Sequence, residues 1–156
     1  RSGTTYTTRP HELFDSARGL PNALSTNSTS AQANATDSLT TFNTNGFSFG
    51  GGNSGLVNWS GENYVSWTFR KQPKFFDIVT YTGTGANRTI AHNLGSVPGS
   101  IIIKRTDATA AWAVYHRSLA NTQYMVLNTT AAAATTITAE VVTTMQSRAE
   151  GANLTH

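Results

Sequence analysis

Residues 63–83 read NYVSWTFRKQPKFFDIVTYTG. In the left half Val65, Trp67 and Phe69 alternate with Tyr64, Ser66 and Thr68, the period of a half-buried strand. In the right half Phe76 and Ile78 alternate with Phe75, Asp77, Val79 and Tyr81. RKQPK lies between them, and its proline lacks the N–H that a strand ladder needs. One strand closes and another opens in mid-chain, so the stretch poses the question of how many folding units there are.

Outward from it, strand patterns dominate. NGFSFGG (45–51) places Phe47 and Phe49 on one face. SIIIKR (100–105), WAVYHR (112–117), QYMVLN (123–128) and TTITAEVVTT (135–144) are β-branched or alternating runs, and Trp67 and Trp112 are expected in the core. Turn residues separate them in GGGNSG (50–55), TGTGAN (82–87) and NLGSVPG (93–99). LFDSARGL (13–20) supports about one helical turn before Gly19 and Pro21 end it. The alanine tract at 131–134 is too short to nucleate a helix and reads as a loop. Short strands joined by turns predict an all-β chain, an antiparallel β-sandwich or jelly-roll-like arrangement.

Composition agrees. Only 12% of the 156 residues are charged, and Thr, Asn, Ser and Gly replace them. Three Trp, five Tyr and seven Phe supply apolar area for a core, which argues against disorder. The net charge of +3 is scattered apart from FRKQPK (69–74), so nucleic-acid binding is not expected. No apolar run approaches the ~18–20 residues of a membrane span, and no membrane insertion is expected. Without cysteine, stability must come from packing or assembly. A chain starting at Arg1, with no initiator Met, is expected to be a piece of something longer.

The two halves echo each other. LFDSARGLPNALSTNSTSAQA (13–33) is similar, with small gaps, to VYHRSLANTQYMVLNTTAAAA (114–134). Leu13-Phe14 parallels Val114-Tyr115, Arg18/Leu20 parallels Arg117/Leu119, and Asn27 parallels Asn128. RSGTTYT at the start likewise echoes RTDATA (105–110). The reading is therefore two partial tandem repeats: 1–69 the back part of a first β-sandwich unit, 70–74 a linker, 75–156 the front part of a second.

YTGTGANRTIAHNLGSVPGSIIIKRTDATAAWAVYHRSL…LN (81–128) resembles the front of a domain of unassigned function found in tailed-phage structural and tail-fibre-like proteins. LFDSARGL…NST…NGFSFGG…NWSGENYVSWTF (13–69) is similar to that family's continuation. The resemblance implies lectin-like β-sandwich repeats in a virion. It departs in two places: His116 stands where Asp15 stands in the first copy, and no second N-x-S-G-x-x-Y-V segment follows residue 135.

Chemistry-bearing patterns are sparse. Glu12 and Asp15 are the only close acids beside His11 and Arg18, and an Asp15–Arg18 ion pair orienting a turn explains them better than glycoside hydrolysis. The histidines (11, 92, 116, 156) lack metal-ligand spacing, and no G-x-S-x-G elbow occurs. GTGAN (83–87) lacks the Lys-Ser/Thr of a phosphate loop. No enzyme, cofactor or metal is expected. Asn-x-Ser/Thr triplets at 27, 34, 58, 87, 128 and 153 arise by chance in so Asn- and Thr-rich a chain. The binding candidate is the loop around Trp59, with Asn53, Asn58, Glu62 and Asn63: an aromatic face for a sugar ring, amides and a carboxylate for its hydroxyls. The alternative is that Trp59 packs at a loop base or subunit contact. These observations lead us to expect a non-enzymatic phage virion module of a tail fibre or appendage, acting in assembly or adhesion. Its expected partners are other virion subunits, further copies of itself and a host-surface glycan. A capsid decoration protein and a carbohydrate-binding module are the other readings.

Overall fold

The computed structural model describes residues 10–51, 56–120 and 122–134. The strand expected at 135–144 lies outside them. Among the described residues there is no helix, and every strand pairing is antiparallel. The chain is all-β, in three sheet groups consistent with a β-sandwich-like fold.

The chain divides into two compact units. The first comprises the described residues up to Ser66 together with Arg105–Ala110. It opens with β1 (Glu12–Leu13), β2 (Asn22–Ser25) and β3 (Ala33–Asn34), which form one sheet in that order. Ala23 and Leu24, in the central strand, are buried. The LFDSARGL segment is a strand end followed by a single turn, closed by Gly19 N–H to the Asp15 carbonyl (3.1 Å), that does not continue into a helix. Gly19, at φ +76°, supplies the left-handed residue this turn needs. A hairpin follows, β4 (Leu39–Asn43) and β5 (Gly46–Phe49), with a register irregularity between Leu39 and Thr41. Phe47 and Phe49 meet edge-on with centroids 5.3 Å apart. At its base Ser38 is buried: its carbonyl accepts from Gly50 N–H (2.8 Å) and its Oγ from Leu56 N–H (2.9 Å). Position 50 must be glycine-sized, since a Cβ there would stand 2.9 Å from the Asp37 carbonyl oxygen.

The second unit comprises Trp67–Lys104 and the described residues from Ala111 onward. Its sheet is β6 (Ser100–Ile103), β7 (Ala113–His116) and β8 (Met125–Val126), with β7 central. Ala113, Val114 and Tyr115 are buried there, as is Trp112.

Two expectations are corrected. Residues 63–69 and 77–83 form no regular strand. Trp67, expected in the core, is 79% exposed, and Val65 is 74% exposed. Alternation specifies which side chains would share a face, but a strand also needs a neighbour's N–H and C=O groups. Among the described residues no ladder runs along 63–69. The RKQPK segment becomes a turn. Gln72 and Phe76 exchange both backbone hydrogen bonds (2.9 and 3.0 Å) around Pro73, and Lys74 takes φ +62°. Phe69, Phe75 and Phe76 gather there, with ring centroids 5.4–6.4 Å apart.

The echoing segments share one pairing scheme without gaps. Glu12↔Ser25, Leu13↔Leu24 and Ala23↔Ala33 become Ala113↔Val126, Val114↔Met125 and Tyr124↔Ala134, each residue 101 positions later. The backbone bond Thr26 N–H to His11 O (2.9 Å) becomes Leu127 N–H to Trp112 O (3.1 Å). Asn22 N–H to Gly19 O (3.3 Å) becomes Gln123 N–H to Ala120 O (2.9 Å). The gapped match of Arg18 with Arg117 is therefore corrected: this register sets Leu119 opposite Arg18, and Arg117 opposite Ser16.

Candidate functional site

Asp15 begins the turn after β1 and accepts from three donors. Its Oδ1 accepts from Ala17 N–H (3.0 Å) and Arg18 N–H (2.8 Å), while Oδ2 meets Arg18 Nε at 2.6 Å. The other guanidinium nitrogens donate to Gln32 Oε1 and to the Leu13 carbonyl, both at 3.1 Å. Gln32 Nε2 in turn donates to Asn22 Oδ1 (2.8 Å), and Asn22 Nδ2 to the Arg18 carbonyl (3.0 Å). The ion pair is nearly enclosed, with side-chain exposures of 5% for Asp15 and 8% for Arg18. Charge-assisted bonds of this kind hold a turn firmly. Three donors and near-complete enclosure close the carboxylate to a substrate, so this cluster pins β1, β2 and the Gln32 segment together.

Glu12 lies one strand position before Leu13 and accepts from Ser25 Oγ at 2.6 Å. Burial raises its pKa above the ordinary value, and the serine bond partly offsets this.

The Trp59 loop is more open. Trp59 is half-buried, while Asn58, Glu62 and Asn63 are exposed; Asn53 lies outside the described residues. Tyr64 organises the loop: its hydroxyl donates to Glu62 Oε2 and accepts from Trp59 N–H, both at 3.3 Å. Glu62 N–H donates to the Trp59 carbonyl (3.3 Å), and Asn58 Nδ2 reaches the Gly50 carbonyl at 3.4 Å. Trp59, Glu62 and Tyr64 thus form one cluster, with Asn58 tied back to the hairpin base. Tyr64 was not among the residues expected here; it reads as a strand residue, and only the turn at Gly61 brings it back onto Trp59.

A third locality was not anticipated. A shallow depression of about 170 Å³ is lined by Lys71, Gln72, Pro73, Phe76, Asp77 and Asn93. Asp77 Oδ1 meets Lys71 Nζ at 2.8 Å and Ile78 N–H at 2.9 Å, and Oδ2 accepts from Asn93 N–H at 2.8 Å. The Lys71 bond, followed by the Asn93 N–H, holds this carboxyl below its ordinary range. It is therefore an anionic anchor for the 93–94 turn, whose Leu94 carbonyl accepts from Lys74 N–H at 2.7 Å. Among the described residues no group of three or more His, Asp or Glu side chains gathers in a way that could hold a metal ion.

The described residues thus form antiparallel sheets with two anchored ion pairs, Asp15–Arg18 and Asp77–Lys71, and an open aromatic loop at Trp59. Residues 3–154 match a domain of unknown function, DUF7483, and the chain belongs to that family. No curated protein and no solved structure matches it.

Proposed function

We propose that the chain is a non-enzymatic structural module of a tailed-phage virion, part of a tail fibre or similar appendage, working in assembly or host-surface adhesion. The observation that carries this reading is the imbalance between core and surface. The buried hydrophobic side chains of the described residues are Ala23, Leu24, Leu39, Trp112, Ala113, Val114 and Tyr115. Against them Val65, Trp67, Phe69, Phe75 and Ile102 are each more than half exposed. Large exposed apolar groups mark surfaces that other chains cover. Low charge leaves few gatekeepers against such packing. The resemblance of 81–128 and 13–69 to phage appendage domains supplies the setting.

The test is to label the chain on purified particles with a specific antibody. Labelling along the tail appendage supports the reading. Labelling on the head shifts it to a decoration protein, and no labelling sinks the virion role.

A carbohydrate-binding reading is favoured by one observation, the Trp59–Tyr64–Glu62 cluster with its exposed polar neighbours. An aromatic face beside acceptors and donors suits a pyranose. Trp59→Ala on a glycan array checks it: lost signal supports the site, and unchanged or absent wild-type binding removes it.

A further inference from the structure

We infer that the stretch Thr130–Ala133 is a docking edge for a second copy of this chain, which enters by its segment 1–7. The inference rests on the assembly reading above and names one interface within it.

The precedent lies inside the first unit. There Thr29–Gln32 holds the segment Arg105–Ala110 by two backbone bonds: Gln32 N–H to Thr106 O (2.8 Å) and Ala110 N–H to Thr29 O (2.9 Å). The 101-residue equivalence carries Thr29 to Thr130 and Gln32 to Ala133. Local geometry agrees on both sides of this edge. Ser30 N–H donates to Ser28 Oγ (3.1 Å) as Ala131 N–H donates to Thr129 Oγ1 (3.4 Å). Ala23 pairs with Ala33 as Tyr124 pairs with Ala134. The same acceptor and donor are therefore presented twice, by the carbonyl of Thr130 and the N–H of Ala133. Among the described residues nothing engages the second pair. Thr130, Ala131 and Ala132 are exposed, and no charge or proline blocks an incoming strand.

The occupant follows from the same echo. Arg105–Ala110 (RTDATA) is the seated segment, and within this chain it is already engaged. RSGTTYT (1–7) repeats its pattern at a spacing of 104, three more than the 101 of the edge, with Arg1 for Arg105 and Thr5 for Thr109, which sets Ser2 for Thr106 and Tyr6 for Ala110. A second copy brings that segment to the Thr130–Ala133 edge by strand addition, where main-chain bonds supply the affinity. Edge and inserted segment belong to different parts of the chain, so the contact propagates head to tail unless two copies exchange the segment and close as a dimer. Two backbone bonds must offset the loss of free motion on association, so the free affinity is weak and local concentration in an assembly matters.

The first test titrates the synthetic peptide RSGTTYT, to about 1 mM, into isotopically labelled protein. The expected result is saturable movement of the Ala133 amide resonance with the Gln32 amide unmoved. No movement at Ala133, or movement elsewhere only, overturns the proposal. So does an Ala133 amide already protected from exchange in dilute monomer, because the chain's own residues then fill the edge. The second test mixes two variants. Ala133→Pro removes the donor but keeps residues 1–7, and deletion of 1–7 keeps the edge. With each protein at about 1 mM, each alone is expected to be monomeric by light scattering and the mixture to form a 1:1 complex; a mixture that stays monomeric at that concentration overturns the proposal. Should Ala133→Pro fail to fold, the deletion variant plus peptide decides. A chain that labels the particle but shows no response at Ala133 refutes this interface and leaves the assembly reading standing.

Discussion

The turns after β1 and after β7 join strands of one register but close differently: Gly19 N–H donates to the Asp15 carbonyl (3.1 Å) in the first and Leu119 N–H to the His116 carbonyl (2.9 Å) in the second. In the first, Asp15 Oδ1 accepts from Ala17 N–H at 3.0 Å and Oδ2 binds Arg18. In the second, His116 Nδ1 accepts from Ser118 N–H at 3.2 Å, and Leu119 stands opposite Arg18. The acceptor role is kept and the ion pair is lost. Burial explains the difference. β7 is flanked on both sides, by β6 and β8, and Val114 is 9% exposed. β1 is an edge strand, and its counterpart Leu13 is 38% exposed. The outer strand with little apolar cover is held by charge-assisted bonds, and the covered strand by packing. A shared backbone scheme therefore fixes which backbone groups must be satisfied, and local burial decides with what.

The contrast is broken most severely at Asp15. Asp15→Ala strands an enclosed guanidinium and should cost about 3–5 kcal/mol, whereas exposed His116→Ala should stay within about 0.5 kcal/mol. Denaturant unfolding followed by tryptophan fluorescence checks both. Packing should show the reverse order. Tyr115→Ala should cost about 3–5 kcal/mol, and the half-buried Phe14→Ala clearly less, by the same measurement. Equal losses at the two positions would erase the distinction.

A smaller effect separates Asn27 from Asn128. Asn27 Oδ1 accepts from His11 N–H at 3.2 Å, while Asn128 Oδ1 is buried and finds no partner among the described residues. Asn27→Ala should lose about 1 kcal/mol, and Asn128→Ala less, because no bond to that oxygen is given up. Thermal midpoints of the two variants test the order.

The smallest effect is a pH slope. Folding raises the Glu12 pKa above its ordinary 4.5, so in that window the folded chain binds more protons than the unfolded one. Stability should fall as pH rises through the window, and Glu12→Gln should flatten that slope. Ala113, the equivalent residue, has nothing to titrate. Asp77 works the other way: its lowered pKa gives stability above its ordinary 3.8, lost as pH falls through the folded value. Unfolding midpoints of wild type, Glu12→Gln and Asp77→Asn across pH 3–6 separate the two signs.

The strands legible in the sequence were those with a strong apolar signal of their own. Phe47 and Phe49 mark β5, the isoleucines mark β6, and WAVYHR and QYMVLN bracket β7 and β8. Strands β1 to β4 were missed because segments such as PNALST and LTTFN are too polar to show a periodicity; they are strands by virtue of their partners. The opposite error arose at 63–69, where a clean alternation has no ladder. In the candidate sites, Asp15 and Arg18 were visible because they are three residues apart. Gln32, which completes their network, is 14 residues from Arg18 and carries no local signal. Lys71 and Asp77 carry no local signal, because their contact depends on the turn closed by Gln72 and Phe76.

The allocation of Arg105–Ala110 to the first unit has a practical consequence for fragmentation. A protease that nicks the basic turn at 70–74 severs the covalent path without removing the segment seated on Thr29 and Gln32. The two products remain joined there by two backbone bonds, so the halves should associate at high protein concentration and separate on dilution without denaturant.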